Sequence, residues 1–323
     1  MSAAGIASRL GTRARRLVPQ RSNLVSDLIA AMTFAVVSVP QAMGHALLAT
    51  VNPVLGIYSL MVAVPVGALF TSSVFINIST TAALSVAVGA ALVDVPAGLR
   101  IEALGILVLL VGAIQLSAGI FRLGFLTRFV SNAVMIGFLN GVAILIILGQ
   151  LSDLTGYRST FSNRVAQALD LLLRIGQIDV RTTMIGGTTL ASIVFLMASP
   201  LRRFAFIIAI VLATGLLALL TYPSLPTASY FATIPTVGDV TAIPRSLPEF
   251  TIPETSLLLS LLLAAFSVAI IGLIQGAGVS ESIPNPGGKY PDVSRDFLGQ
   301  GAANIATSFV GGIPAGGSIS ARR

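Results

Sequence analysis

Apolar residues run along this chain in blocks of about 20, long enough to cross the hydrocarbon core of a bilayer, with short polar stretches between them. The pattern predicts spans at 24–48, 54–73, 101–121, 129–151, 183–199, 204–221 and 256–279, a short third segment at 79–93 and a ninth span near 297–311. Between the fifth and sixth spans, "NRVAQALDLLLRI" (163–175) places Val165, Leu169, Leu172 and Leu173 at helical spacing, with Arg164, Asp170 and Arg174 off that stripe. That is the pattern of an amphipathic helix lying in the interface. The Pro-rich stretch 222–255 has no helical period and is expected as a loop. Only helices and closed barrels satisfy their own backbone in lipid, and the short alternating strands of a barrel are absent. The expected class is an all-α polytopic membrane protein.

Composition agrees: 55% of residues are hydrophobic and 10% charged, against about 25% charged in a soluble domain. The few charges fix an orientation. Arg9, Arg13, Arg15, Arg16 and Arg21 make a basic arm over 1–23 with no small-residue cleavage site after it, so the N-terminus is expected in the cytoplasm. Arg122 and Arg128, Arg202 and Arg203, and Lys289 and Arg295 then fall in cytoplasmic loops, while the outer 222–255 loop holds only Arg245. The net charge of +7 comes from helix ends rather than a basic face interleaved with aromatics, so nucleic acid is not an expected partner. With no Cys and one His, the chain offers no disulfide framework, no thiolate metal site and no Cys nucleophile. It has no Ser-His-Asp set within the membrane and no GxxxxGK[ST] element, so neither an enzyme nor an ATP-driven pump is expected, and no cofactor or metal.

Two segments interrupt the apolar pattern, and each has a counterpart. "AVVSVPQAMG" (35–44) and "AIIGLIQGAG" (269–278) share Ala35 with Ala269, Gln41 with Gln275 and Gly44 with Gly278 at identical spacing. The first lies in an in-to-out span and the second, seven spans later, in an out-to-in span, as in an inverted repeat. The short third segment, "VFINISTTAALSV" (74–86), is likewise matched seven spans on by "GGIPAGGSISA" (311–321). Both begin as poor helix and then offer Ser or Thr as helix N-caps: Ser79, Thr80 and Thr81 in one, Ser318 and Ser320 in the other. Two half-helix N-termini meeting at mid-membrane would present free N–H groups and positive dipole ends, an anion site that needs no charged side chain. The expected substrate-binding set is Gln41, Ser79, Thr80, Thr81, Gln275, Gly317, Ser318 and Ser320. Ser and Thr in membrane helices also bond their own carbonyls or neighbouring helices, which is the competing role for each of them.

The residues then carry a resemblance. "DLIAAMTFAVVSVPQAMGHALLATVNPVLGIYS" (27–59) resembles the first signature of the SulP family, the sulfate permease and solute carrier 26 anion transporters, with Pro-Gln-Ala followed by Pro53, Gly56, Ile57 and Tyr58. "RLGFLTRFVSNAVMIGFLNGVAILIILGQL" (122–151) and "GQGAANIATSFVGGIPAGGSIS" (299–320) are similar to the fifth-helix and ninth-to-tenth-helix regions of that family. The resemblance implies a seven-plus-seven inverted-repeat transporter fold with core and gate domains, half-helices at positions 3 and 10, anion binding between their N-termini, and a homodimer. The expected organisation is a basic arm at 1–23, a first repeat at 24–221, the outer loop at 222–255 and the start of a second repeat at 256–323. The last four spans and the cytoplasmic STAS domain usual in the family are not in this chain, which is expected to be a fragment or a truncated product. Where many members have Arg after Ser in the tenth-helix element, this chain has Ala321 and then Arg322; Gln41 and Gln275 stand where acids occur in members; and the third-helix element, usually with Pro, reads Thr80-Thr81.

The expected function is secondary transport of a small inorganic anion, sulfate or bicarbonate-like, across the cell membrane by an elevator-like motion. A passive anion channel and a non-transporting membrane fragment are the alternatives; a nucleobase permease would want carboxylates where Gln275 and Ser320 stand. Proton or sodium is the candidate coupling ion. His45, four residues from Gln41 on the same helix face, is the candidate proton carrier, with packing in an aromatic-like role as its competing reading. Glu281 is expected to be solvated, and Asn132 and Asn140 to join helices.

Overall fold

The computed structural model describes residues 24–129, 132–161, 163–234, 236, 247–282 and 284–319. The basic arm, Arg245, Ser320 and the beginning of a tenth helix lie outside the described residues.

The elements, in chain order, are α1 (Leu24–Leu48), α2 (Pro53–Phe70), β1 (Ile76–Thr80), α3 (Ala82–Ala91), α4 (Arg100–Ile120), α5 (Asn132–Thr155), α6 (Arg164–Leu173), α7 (Val180–Met197), α8 (Ala205–Leu220), the single turn α9 (Ala228–Phe231), α10 (Leu258–Ser282), α11 (Val293–Ser308) and β2 (Ala315–Ile319). Among the described residues, α2, α4 with the turn before it (Ala97–Ile120), α7 and α10 are long and apolar enough to cross a bilayer. Local chemistry sets several of the ends. Asn52 accepts from the Val54 N–H at 3.0 Å, and Pro53 supplies a preset first residue for α2. Asp292 accepts from the Ser294 and Arg295 N–H groups and starts α11.

The described residues divide into two compact units, Met1–Leu139 with Ile243–Arg323, and Asn140–Ala242. In the first, Leu84 and Val88 of α3, Leu104, Leu107 and Val111 of α4 and Leu261, Ala265 and Val268 of α10 close one buried core. Lipid removes most of the hydrophobic gain from helix association, so close approach matters more there. At the α4–α11 crossing, a Cβ on Gly112 would collide with Ile305, one on Gly119 with Leu298 and one on Gly301 with the Leu116 backbone. In the second unit, α7 packs on α8 around Leu196, Ala205 and Ala209, and α6 turns Val165, Leu169, Leu172 and Leu173 outward as its periodicity predicts.

Two expectations change. The third segment does not begin as a helix at Ser79: residues 76–80 are a strand, and Thr81 alone caps the helix that follows, accepting from the Leu84 N–H at 3.5 Å. Backbone N–H and C=O groups that leave a helix inside the membrane need partners, and β2 supplies them. The ninth helix begins at Val293 rather than near 297. Its first turn carries Arg295 and Asp296, which read as loop in the sequence, but Asp296 is buried and accepts from Ser280 Oγ at 2.6 Å and from the Ser73 N–H at 3.3 Å. Glu281 lies in the last turn of α10 and is exposed, and Asn140 is exposed on α5.

Candidate functional site

β1 and β2 form a two-stranded antiparallel ladder with Asn77 opposite Ser318, Ile78 opposite Gly317, Ser79 opposite Gly316 and Thr80 opposite Ala315. Directly opposed residues share a face. One face therefore carries Asn77, Ser79, Gly316 and Ser318. The Ser79 and Ser318 hydroxyls share a hydrogen bond at 3.1 Å, and Ser318 Oγ also donates to the Asn77 carbonyl at 3.1 Å. The other face packs inward: Ile78 lies against Gly67 of α2, and a Cβ on Gly317 would collide with Gly276 of α10.

Four further polar side chains meet at the end of β1. Thr80 Oγ1 lies 3.0 Å from His45 Nδ1, and the direction of that hydrogen bond follows the histidine tautomer. Thr81 Oγ1 donates to Gln275 Oε1 at 3.2 Å. His45, Ser79, Thr80 and Thr81 are buried, and Ser318 and Gln275 are half-buried. α3 has 10 residues, or about 15 Å, half the thickness of a bilayer core. The N–H groups of its first turn point back along the helix axis toward the strand it follows. The assembled groups are hydroxyls, an amide, an imidazole and a helix N-terminus, all able to donate to an anion.

Of the residues the sequence singled out, Ser79, Thr80, Thr81, Gly317, Ser318, Gln275 and His45 come together here. Gln41 stands one turn from His45 on α1 but is exposed, and the described hydrogen bonds of the ladder do not include it. Ser320 lies outside the described residues.

The sulfate permease family model matches residues 24–322, nearly the whole chain. The chain belongs to the sulfate permease family. It is similar to "Sulfate transporter 4.1, chloroplastic" of Arabidopsis thaliana, 30% identical over 307 residues that cover 91% of this chain and 43% of that protein. It thus spans about half or less of the length of this relative. Its fold is similar to murine Solute Carrier 26 family member A9, an anion transporter solved in the inward-facing state, with a TM-score of 0.72, 19% identity and coverage of 99% of this chain and 56% of that one. It also resembles the transmembrane domain of a cyanobacterium bicarbonate transporter, BicA, at a TM-score of 0.71 and 20% identity, covering 93% and 76% of the two chains.

The residues that hold the ladder in this family member are ones the sequence reading passed over. Asn304 of α11 donates through Nδ2 to the Ala315 carbonyl at 2.8 Å and to Gln115 Oε1 of α4 at 2.7 Å, and accepts the Ala315 N–H at 2.7 Å. Ahead of β1, Ser72 exchanges bonds with the Asp292 backbone, and Asn285 bonds the Ser72 carbonyl at 3.1 Å and the Val74 N–H at 2.9 Å. A signal existed. Asp296, Gln300 and Asn304 repeat every four residues along α11, a polar stripe set among mostly small or apolar residues after Arg295.

Proposed function

We propose that this chain carries the anion-binding part of a secondary active transporter for a small inorganic anion, sulfate or bicarbonate-like, in the cell membrane. The supporting observation is the ladder, where two matched segments far apart in sequence bring Ser79, Thr80, Thr81, Gly317 and Ser318 beside the first turn of α3, with Gln275 at its flank. Gln41 is its repeat counterpart and belongs to the same proposal. Backbone N–H groups and the dipole end supply most of the attraction, about 0.3–1 kcal/mol per helix end when exposed and up to ~2 kcal/mol when partly buried. Each hydroxyl adds roughly 0.5–1.5 kcal/mol. The proposal includes an elevator-like motion of a core against a gate, with the ladder in the core. A homodimer and a coupling proton or sodium complete the proposal, with His45 as proton carrier through its contact with Thr80.

One uptake experiment tests it, in membranes expressing this chain with whatever continuation its gene encodes. Ser318→Ala should weaken sulfate or bicarbonate uptake only several-fold, whereas Ser318→Glu should abolish it, because a fixed negative charge opposes the anion at short range. Both variants must first reach the membrane equally. Wild-type affinity in Ser318→Glu would remove Ser318 from the site. In the same assay, pH dependence that persists unchanged in His45→Phe would leave His45 a packing residue.

A further inference from the structure

Asp296, Gln300 and Asn304 stand four residues apart on α11 and all three are fully buried, so they form one polar ridge. Its two ends are bonded to the segments that make the ladder. Asp296 accepts from the Ser72 and Ser73 N–H groups just ahead of β1. Asn304 takes both the N–H and the C=O of Ala315, the first residue of β2. Gln300, between them, makes no hydrogen bond among the described residues.

The Asn304 contact has a specific consequence. β2 reads Ala-Gly-Gly-Ser-Ile, and Gly-rich strands specify their register weakly. A slip of one residue would turn Ser318 from the face it shares with Asn77 and Ser79 to the face packed on α10. The Asn304 amide pairs with Ala315 as a residue of a neighbouring strand would. Unlike a strand it cannot slide, because it is fixed to α11 and its second Nδ2 hydrogen is held by Gln115 Oε1 at 2.7 Å. All three hydrogen-bonding positions of this amide used here are occupied, and two of them go to a single residue of β2.

We propose that Asn304 is a positioning residue that sets the register of β2 and, through it, the place of Gly317 and Ser318 in the anion site; the inference rests on the anion-site reading above. Asn304 itself points at Ala315 and Gln115 and acts through the strand.

The test is a double-mutant cycle read as the Kd for radiolabelled sulfate on the purified protein, with the full chain as expressed in the uptake assay. Asn304→Ala should weaken binding about tenfold, the effect of leaving buried backbone groups unpaired. Ser318→Ala alone should weaken it several-fold, but adding it to Asn304→Ala should cost less than about twofold, because Ser318 is already displaced. A residue that only stabilises the fold would give losses that multiply. Gln300→Met, on the same ridge but unbonded to the ladder, should bind as the unsubstituted protein does. Wild-type affinity in Asn304→Ala, or multiplying losses in the cycle, would overturn the inference and leave the anion site standing. No sulfate binding by the unsubstituted protein would overturn both. If Asn304→Ala does not fold, Gln115→Met, which frees the amide from its second holder, takes its place in the same cycle and is judged by the same non-additivity.

Discussion

Asp170, on the amphipathic helix α6, is a carboxylate whose protonation is controlled by neutral partners more than by its ion pair. Ser159 Oγ donates to it at 2.6 Å and the Tyr157 hydroxyl at 2.8 Å. The Ser159 hydrogen bond, then that from Tyr157, holds the Asp170 carboxyl below its ordinary value, with burial opposing and Arg174 adding a smaller pull. Arg174 is mostly exposed at 3.2 Å, and such pairs contribute little. Burial and the Asp170 contact push the Tyr157 phenol the other way, upward. The sign follows from linkage: a carboxyl whose folded pKa is depressed adds stability above its unfolded pKa and loses it as pH falls through the folded value. Ser159→Ala should therefore bring the folded pKa back toward the ordinary carboxylate range and start acid unfolding at a higher pH. Thermal melts across about pH 2 to 5 would read it, and an unmoved acid limb would mean the hydroxyl does not hold the charge. The sequence placed Asp170 off the apolar stripe of α6, but Tyr157 and Ser159 had no visible link to it, because the turn that returns the chain to α6 is not periodic.

At the scale of elements, small residues decide which helices can touch. Gly56 belongs to the Pro–x–x–Gly element that marks the family, and its place explains the glycine: a Cβ there would collide with the Ala42 carbonyl of α1. Gly56→Ala should cost about 1–3 kcal/mol through overpacking against backbone that cannot give way. Gly44, on α1 itself, has nothing within 4 Å of a built Cβ. Gly44→Ala should be neutral or add about 0.5–1 kcal/mol, as a mid-helix alanine does. Melting of the two variants in one detergent would compare them, and equal destabilisation would contradict the packing account. Both glycines sit in similar apolar surroundings in the sequence. Which one faces a neighbouring backbone depends on the α1–α2 crossing, which no local pattern encodes.

For the whole molecule, the testable property is its orientation. Basic residues at the ends of the even-numbered spans lead to the proposal of an N-terminus in the cytoplasm and the 222–255 stretch outside. Ser224 is exposed in that stretch, and the chain contains no Cys, so Ser224→Cys provides a single reporter thiol. It should react with a membrane-impermeant maleimide in intact cells; labelling only after permeabilisation would invert the topology. What the sequence determined by itself is what depends on short range. Helix positions came within a few residues for α1, α4, α8 and α10, because hydropathy and 3.6-residue periodicity act along the chain. The polar interruptions at 79–81 and 317–318 were legible because polar groups are costly in lipid and so stand out there. Only the tertiary structure decided what those interruptions become. Ser79 and Ser318 are 239 positions apart, and the strands that carry them have no partner until α11 and α10 bring them together. Isolated, each is a five-residue segment with unpaired backbone that lipid would not tolerate. Paired with each other, and with Ala315 held by Asn304, they satisfy their backbone and set the Ser79 and Ser318 hydroxyls side by side.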